Sequence, residues 1–228
     1  MSRFSELLDA VRLLHPHDKF LDQLDQRLAS TPRVAKQYAE YEDAFETIDD
    51  RSWKVLMVKA IAHFLDHRKG QLKQGFFDQL NDAFAYRHLV SCGCRDVAIL
   101  AEDGRPCPDI SYVDNAGYRR FCDVKTINIS EDEIARRSSK EIFSWPSCYA
   151  TLGPTCIKKL NDAMDKAVAQ MAARGAIGLI YILMDFDDVT LDFFKIYAQQ
   201  IGDCLSSHAA SDVVVRVGIL GSYTISKR

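Results

Sequence analysis

Residues 97–127 read VAILAEDGRPCPDISYVDNAGYRRFCDVKTI. Runs of β-branched and aromatic residues alternate here with turn-forming segments, which predicts three short strands of an antiparallel meander. Pro108-Asp109 opens the middle strand, and an Asp-x-Lys lies in the last. Because alternate residues of a strand share a face, we expect Asp123 and Lys125 to point the same way. Two carboxylates and one lysine on neighbouring strands would form a small site for a hard divalent cation.

The composition is that of a globular protein. The chain has 228 residues, of which 47% are hydrophobic and 27% charged, enough for one large domain or a core domain with an added lobe. We expect a cytoplasmic protein without a membrane partner, because no apolar run is long enough to span a bilayer and the acidic N-terminus is a poor signal peptide. The net charge of −3 argues against a general polyanion-coating protein.

The seven cysteines are an odd number scattered along the chain, which argues against a disulfide framework. Cys92 and Cys94 are spaced too closely for an ordinary zinc site, so small buried side chains are the preferred interpretation.

Helical patterns dominate the first part of the chain, up to about residue 91. Thr31-Pro32 is a helix start signal, with Thr31 as N-cap and Pro32 at the first helical position. We expect the next helix, which follows Asp49-Asp50, to end near Gly70. A further helix is predicted over residues 76–93 and contains two aspartates, Asp78 and Asp82.

Beyond the meander, residues 128–154 form an irregular segment of mixed charge. A helix is predicted over residues 155–175, followed by a near-continuous apolar run typical of a buried central strand. Another helix and a final strand, DVVVRVGIL, complete the chain. The order predicts a mixed sheet flanked by helices, in the α/β or α+β class, with a helical region at the N-terminus.

The combination of Pro108-Asp109 with Asp123-Val124-Lys125, in an αβββαβ order of elements, resembles the PD-(D/E)xK nuclease superfamily. The resemblance covers roughly residues 75–185. It implies a nuclease-type domain at 71–228 and a separate N-terminal helical region at 1–70. It also implies that Asp109, Asp123 and the backbone carbonyl of Val124 hold Mg²⁺ or Mn²⁺, and that Lys125 orients or deprotonates the attacking water or stabilises charge on phosphorus.

Members of this superfamily often carry a further acid on the helix before the meander. Asp82 is the preferred candidate here, and Asp78 is the alternative. The non-functional interpretation is that these aspartates simply lie on a solvated face of the helix. They also often place a lysine or glutamine from the next helix near the site. Candidates are Lys158, Lys159, Lys166 and Gln170, and ordinary surface positions are the preferred interpretation.

Clusters of basic residues at Arg119-Arg120 and Arg136-Arg137 are candidates for phosphate contacts. Such runs are more often solvated faces.

Three functional hypotheses follow. The first is a Mg²⁺- or Mn²⁺-dependent nuclease whose nucleic-acid substrate is expected to be DNA. The second is a nuclease fold without catalysis, serving as a binding or regulatory module whose N-terminal helices dock a partner or a second copy in a homodimer. The third is an RNA-processing nuclease that uses the same site.

Overall fold

The structure is a computed structural model that describes residues 2–67, 72–102, 104, 106–128, 134–135, 139, 151–185, 193–210, 212–220 and 223–227. Within these ranges, helices accompany a six-stranded mixed sheet. The predicted α/β class is therefore confirmed, while the nuclease-type core stays a prediction.

The chain divides into two compact units, and each is described by itself. The first contains Met1–Arg105 and Asp109–Arg120, and the second contains Pro106–Pro108 and Phe121–Arg228. The predicted division between residues 70 and 71 stays a prediction.

The first unit begins with helices: α1 Arg3–Leu14, α2 Lys19–Ser30, α3 Pro32–Phe45, α4 Asp50–Ala62, α5 Gln74–Leu80 and α6 Asp82–Ser91. The Asp18 carboxylate accepts a hydrogen bond from the Phe20 N–H at 2.9 Å and so caps α2. The predicted start of α3 is confirmed, with Thr31 at the N-cap position and Pro32 at the first helical position.

Two predicted helix boundaries in this unit are wrong. Helix α4 ends at Ala62 rather than near Gly70, which lies outside the described residues. A turn follows α4 because the Asp66 N–H donates to the His63 carbonyl at 3.0 Å. The helix predicted over residues 76–93 is two helices that meet at Asn81, whose side chain accepts a hydrogen bond from the buried Tyr41 hydroxyl at 2.9 Å.

Two strands complete the first unit. Strand β1, Arg95–Ile99, pairs antiparallel with β2, Ile110–Val113, as the meander predicts. The Leu100 N–H donates to the Asp109 carbonyl at 2.8 Å, so Asp109 stands at the start of β2. The predicted turn after β2 is present, because the Asp114 N–H donates to the Tyr118 carbonyl at 2.9 Å. Gly117 adopts a φ of +87°, a left-handed conformation that favours glycine.

Strand β3 is Arg119–Ile127, and its residues from Phe121 onward belong to the second unit. The other elements of this unit are α7 Pro154–Ala173, β4 Gly178–Met184, α8 Phe194–Ser207, β5 Val213–Val217 and β6 Tyr223–Lys227. Strand β4 is parallel to both β3 and β5, which makes it the buried central strand that its apolar run predicts. The sequence did not predict β6, which pairs antiparallel with β5. Its short, largely exposed YTISK segment lacks a strong strand pattern.

The hydrophobic core of the second unit forms where α7 and α8 contribute apolar faces to β4 and β5. Buried α7 residues recur at helical spacing, at Leu160, Met164, Ala167 and Met171. Both faces of β5 are buried, as expected for a parallel strand covered by other elements.

Most of the irregular segment predicted at 128–154 lies outside the described residues. Among the residues that the structure does describe, no helix has the length and apolar character needed to cross a membrane.

Gly178 is expected to be one of the least replaceable positions of the second unit. A Cβ added there would lie 1.6 Å from the Phe121 carbonyl oxygen, so Gly178→Ala forces the β3 and β4 backbones apart. We expect this substitution to lower the free energy of unfolding by about 3 kcal/mol or more in urea denaturation.

Gly202→Ala is the matched control. Gly202 lies inside α8, and a Cβ added there meets nothing within 4 Å. Alanine is the better helix former, so we expect this variant to gain about 0.5–1 kcal/mol. A stable Gly178→Ala protein would contradict the close approach of the two strands.

Candidate functional site

Helix α4 carries a lysine on its core-facing side. Trp53, Leu56 and Ala60 are buried, and Lys59 lies three residues after Leu56 on the same face, with only 4% of its side chain exposed. The Ile99 N–H donates to Ser52 Oγ at 3.1 Å, which fixes the start of this helix against β1. The ammonium of Lys59 is therefore held inside the first unit.

The partners of Lys59 are two aspartates that are distant in sequence. Lys59 Nζ lies 2.7 Å from Asp82 Oδ2 and 3.4 Å from Asp109 Oδ1. The side chain of Asp82 is 4% exposed, whereas that of Asp109 is 24% exposed. Asp82 is the first residue of α6, where the helix dipole also favours a negative charge. Lys59 thus joins a buried carboxylate to one that solvent can reach.

The electrostatics of this cluster favour the charged lysine. Burial lowers the pKa of Lys59, but the nearby charges of Asp82 and Asp109, together with the hydrogen bonds to both, outweigh burial and raise the pKa above its ordinary value. A buried ammonium that keeps its charge needs such partners, because an unpaired charge inside a protein is very costly.

The arrangement distinguishes the two aspartates proposed for the helical acid. Asp82 contacts Lys59 directly, whereas Asp78 lies on α5 and accepts from Gln74 Nε2 at 3.3 Å. Sequence reasoning missed Lys59 altogether. The sequence feature that could have identified it is a lysine among the apolar residues on one face of α4, because a charge at such a position requires a buried partner.

In the second unit, the Asp-x-Lys forms a compact polar group. Lys125 Nζ lies 2.5 Å from Asp123 Oδ2, so the two side chains share a face of β3 as predicted. The Asp123 side chain is fully buried, and that of Lys125 is 21% exposed. Lys125 also donates to Gln170 Oε1 at 2.5 Å, from the α7 position just before the buried Met171.

The remaining positions predicted on α7 lie at the surface. Lys158 pairs with Asp162 at 2.6 Å in an exposed i, i+4 ion pair, and Lys159 and Lys166 are exposed. Of the four candidates on this helix, the structure thus brings Gln170 to Lys125.

The predicted phosphate-contacting arginines differ in their surroundings. Arg119 is exposed, whereas Arg120 Nε lies 3.0 Å from Asp114 Oδ2. The hydrogen bond from the Tyr118 N–H lowers the pKa of Asp114, and the Arg120 guanidinium adds to this. Arg136 and Arg137 lie outside the described residues.

The donors at the predicted metal positions are all oxygens, the ligands that Mg²⁺ and Mn²⁺ prefer. They are the carboxylates of Asp109 and Asp123 and the main-chain carbonyl of Val124 on β3. Within the described part of the chain, no three or more His, Cys, Asp or Glu side chains form a group arranged to hold a metal ion. Mg²⁺ is usually held by one or two carboxylates together with water and substrate, and oxygen donors of this kind suit its chemistry.

A separate cavity of about 300 Å³ lies among the helices of the first unit. Aromatic and apolar side chains such as Phe20, Tyr38 and Phe77 line it, with Arg27 beside them. None of its lining residues belongs to the predicted catalytic set.

Comparison with models of protein families found no match, and comparisons with curated proteins and with solved structures found none either.

The Lys59–Asp82 pair leads to a stability prediction. Removing one partner of a buried ion pair leaves the other charge unpaired, so we expect Lys59→Met to lower the free energy of unfolding by about 3–5 kcal/mol. The double variant Lys59→Met/Asp82→Asn removes both charges at similar volume and should recover most of this loss in guanidinium denaturation.

Lys54→Met is the matched control, because Lys54 is an exposed lysine on the same helix. We expect it to stay within about 0.5 kcal/mol of the original protein. An equal loss in the single and double variants would show that the charges themselves are not what the fold needs.

Proposed function

We propose that the protein is a Mg²⁺- or Mn²⁺-dependent nuclease that hydrolyses phosphodiester bonds, with DNA as the expected substrate. Asp109 and Asp123 are the proposed carboxylates and Lys125 is the proposed assisting lysine. The observation that carries the proposal is the position of Lys125, whose ammonium lies between the Asp123 carboxylate and the Gln170 amide oxygen, each at 2.5 Å.

A purely structural ion pair explains this arrangement less well. Asp123 is fully buried on β3, but the Lys125 side chain keeps 21% of its surface exposed. The buried carboxylate and the α7 glutamine together fix the direction of the ammonium, while solvent still reaches it. A cationic donor held in one place and open to solvent suits an anionic ligand such as a phosphate.

The proposed chemistry assigns each residue a task. Asp109, Asp123 and the Val124 carbonyl would hold the cation, which on binding supplies Lewis-acid polarisation of the phosphate and a lower pKa for the attacking water. Lys125 would donate to the oxygen on which negative charge develops. Gln170 would keep Lys125 in place through its amide oxygen.

The exposure of Asp109 supports its role as a ligand. Its side chain is 24% exposed at the start of β2, where a hydrated cation with bound substrate can approach it. The chain position, directly after Pro108, is the one that the superfamily resemblance assigns to a metal-binding carboxylate.

Cleavage of plasmid and oligonucleotide DNA with Mg²⁺ or Mn²⁺ tests the proposal. We expect Asp123→Asn and Lys125→Met to reduce the cleavage rate by about 100-fold or more, because each removes a charge used in the transition state. Circular dichroism of each variant checks that the fold is retained.

Asp43→Asn and Lys54→Met are the matched controls, since both replace exposed charges on the helices of the first unit. They should cleave at the original rate. Undiminished cleavage by folded Asp123→Asn and Lys125→Met proteins would show that the activity arises elsewhere. The same assay with RNA decides between the two nucleic acids, and failure of the original protein to cleave either one counts against the function.

A further inference from the structure

We propose that Lys59 and Asp82 are positioning residues of this site: Asp82 anchors Lys59, and Lys59 is a built-in counter-cation of Asp109 that competes with the divalent cation. This inference rests on the cation site proposed above. It assigns a role to Lys59, and it gives Asp82 the task of anchor instead of metal ligand.

The distances indicate which aspartate holds the lysine. Lys59 Nζ lies at 2.7 Å from Asp82, the spacing of a strong charge-assisted hydrogen bond, and at 3.4 Å from Asp109. The shorter contact is the one between the two buried side chains. Lys59 is therefore anchored at Asp82 and reaches Asp109 with the same ammonium.

Burial indicates which aspartate suits a cation from solution. Mg²⁺ and Mn²⁺ keep several water ligands and bind substrate phosphate, so at least one protein ligand of the site must be open to solvent. Asp82 is almost completely enclosed and Asp109 is not. This difference favours Asp109 as the ligand and leaves Asp82 to neutralise the buried ammonium.

The charge of Lys59 bears directly on cation binding. An ammonium hydrogen-bonded to Asp109 neutralises part of the negative charge that attracts a divalent cation, and it repels that cation at close range. The same ammonium holds the Asp109 carboxylate in one orientation. Loss of Lys59 should therefore tighten cation binding while it slows turnover, a split that general damage to the fold does not produce.

Direct titration of the full-length protein with Mn²⁺ provides the readout, because the electron paramagnetic resonance signal of free Mn²⁺ disappears on binding. We expect Lys59→Met to bind Mn²⁺ about tenfold more tightly than the original protein. Its kcat for DNA cleavage should fall by about tenfold, since Asp109 is held less firmly. Lys54→Met should bind Mn²⁺ with the original affinity.

Lys59→Met/Asp82→Asn keeps the test decisive if the single variant does not fold. If Asp82 is an anchor, the folded double variant also binds Mn²⁺ more tightly than the original protein. If Asp82 is a metal ligand, the double variant binds more weakly, and the inference is overturned. Unchanged affinity, within about twofold, in the folded variants overturns it as well.

Failure of the inference and failure of the proposed function are distinguishable. Mn²⁺ binding by the original protein that is unchanged in the Lys59 variants overturns the inference and leaves the nuclease proposal intact. Tighter binding by the Lys59 variants, without cleavage of nucleic acid by the original protein, supports the inference and refutes the nuclease function. No Mn²⁺ binding by the original protein overturns both.

Discussion

The buried contact between the Lys59 ammonium and the Asp82 carboxylate imposes a constraint on the whole first unit. A lysine can be removed from water in its charged form only if a carboxylate meets it at hydrogen-bond distance. Helix α4 must therefore lie where its inner face reaches the start of α6. The break at Asn81 places Asp82 at the first position of α6, and the Tyr41 hydroxyl holds Asn81 there. Packing, capping and charge pairing thus agree on one arrangement of these helices.

Strand β3 of the second unit also carries a buried charged residue. The fully buried Asp123 lies on this strand beside apolar residues of β4. The β3 register places Asp123 opposite Ile180 and Lys125 opposite Ile182 of β4. The lysine two residues along lies on the same face of the strand with its ammonium 2.5 Å from that carboxylate, and it donates a hydrogen bond to Gln170 of α7. Polar groups in such a setting define a specific local structure, because each must find a partner.

Several features of the fold could be predicted from the sequence because they depend on local geometry. The start of α3 at Pro32, the antiparallel pairing of β1 with β2 and the central position of β4 follow from caps, turns and the apolar pattern. The end of α4 was wrong because a local turn from His63 to Asp66 follows the helix, and the break between α5 and α6 was missed because it depends on the tertiary contact of Asn81 with Tyr41. Strand β6 was missed because an exposed edge strand carries little hydrophobic signal.

For the candidate site, the sequence by itself determined that Asp123 and Lys125 share a face, because residues two apart on a strand always do. It also placed Asp109 at the start of β2 through the proline and the turn before it. Only the tertiary structure decided that Lys59 meets Asp82 and Asp109, and that Gln170 meets Lys125. These pairings join residues far apart in the chain, so they depend on how whole elements pack. Local sequence patterns do not predict that packing.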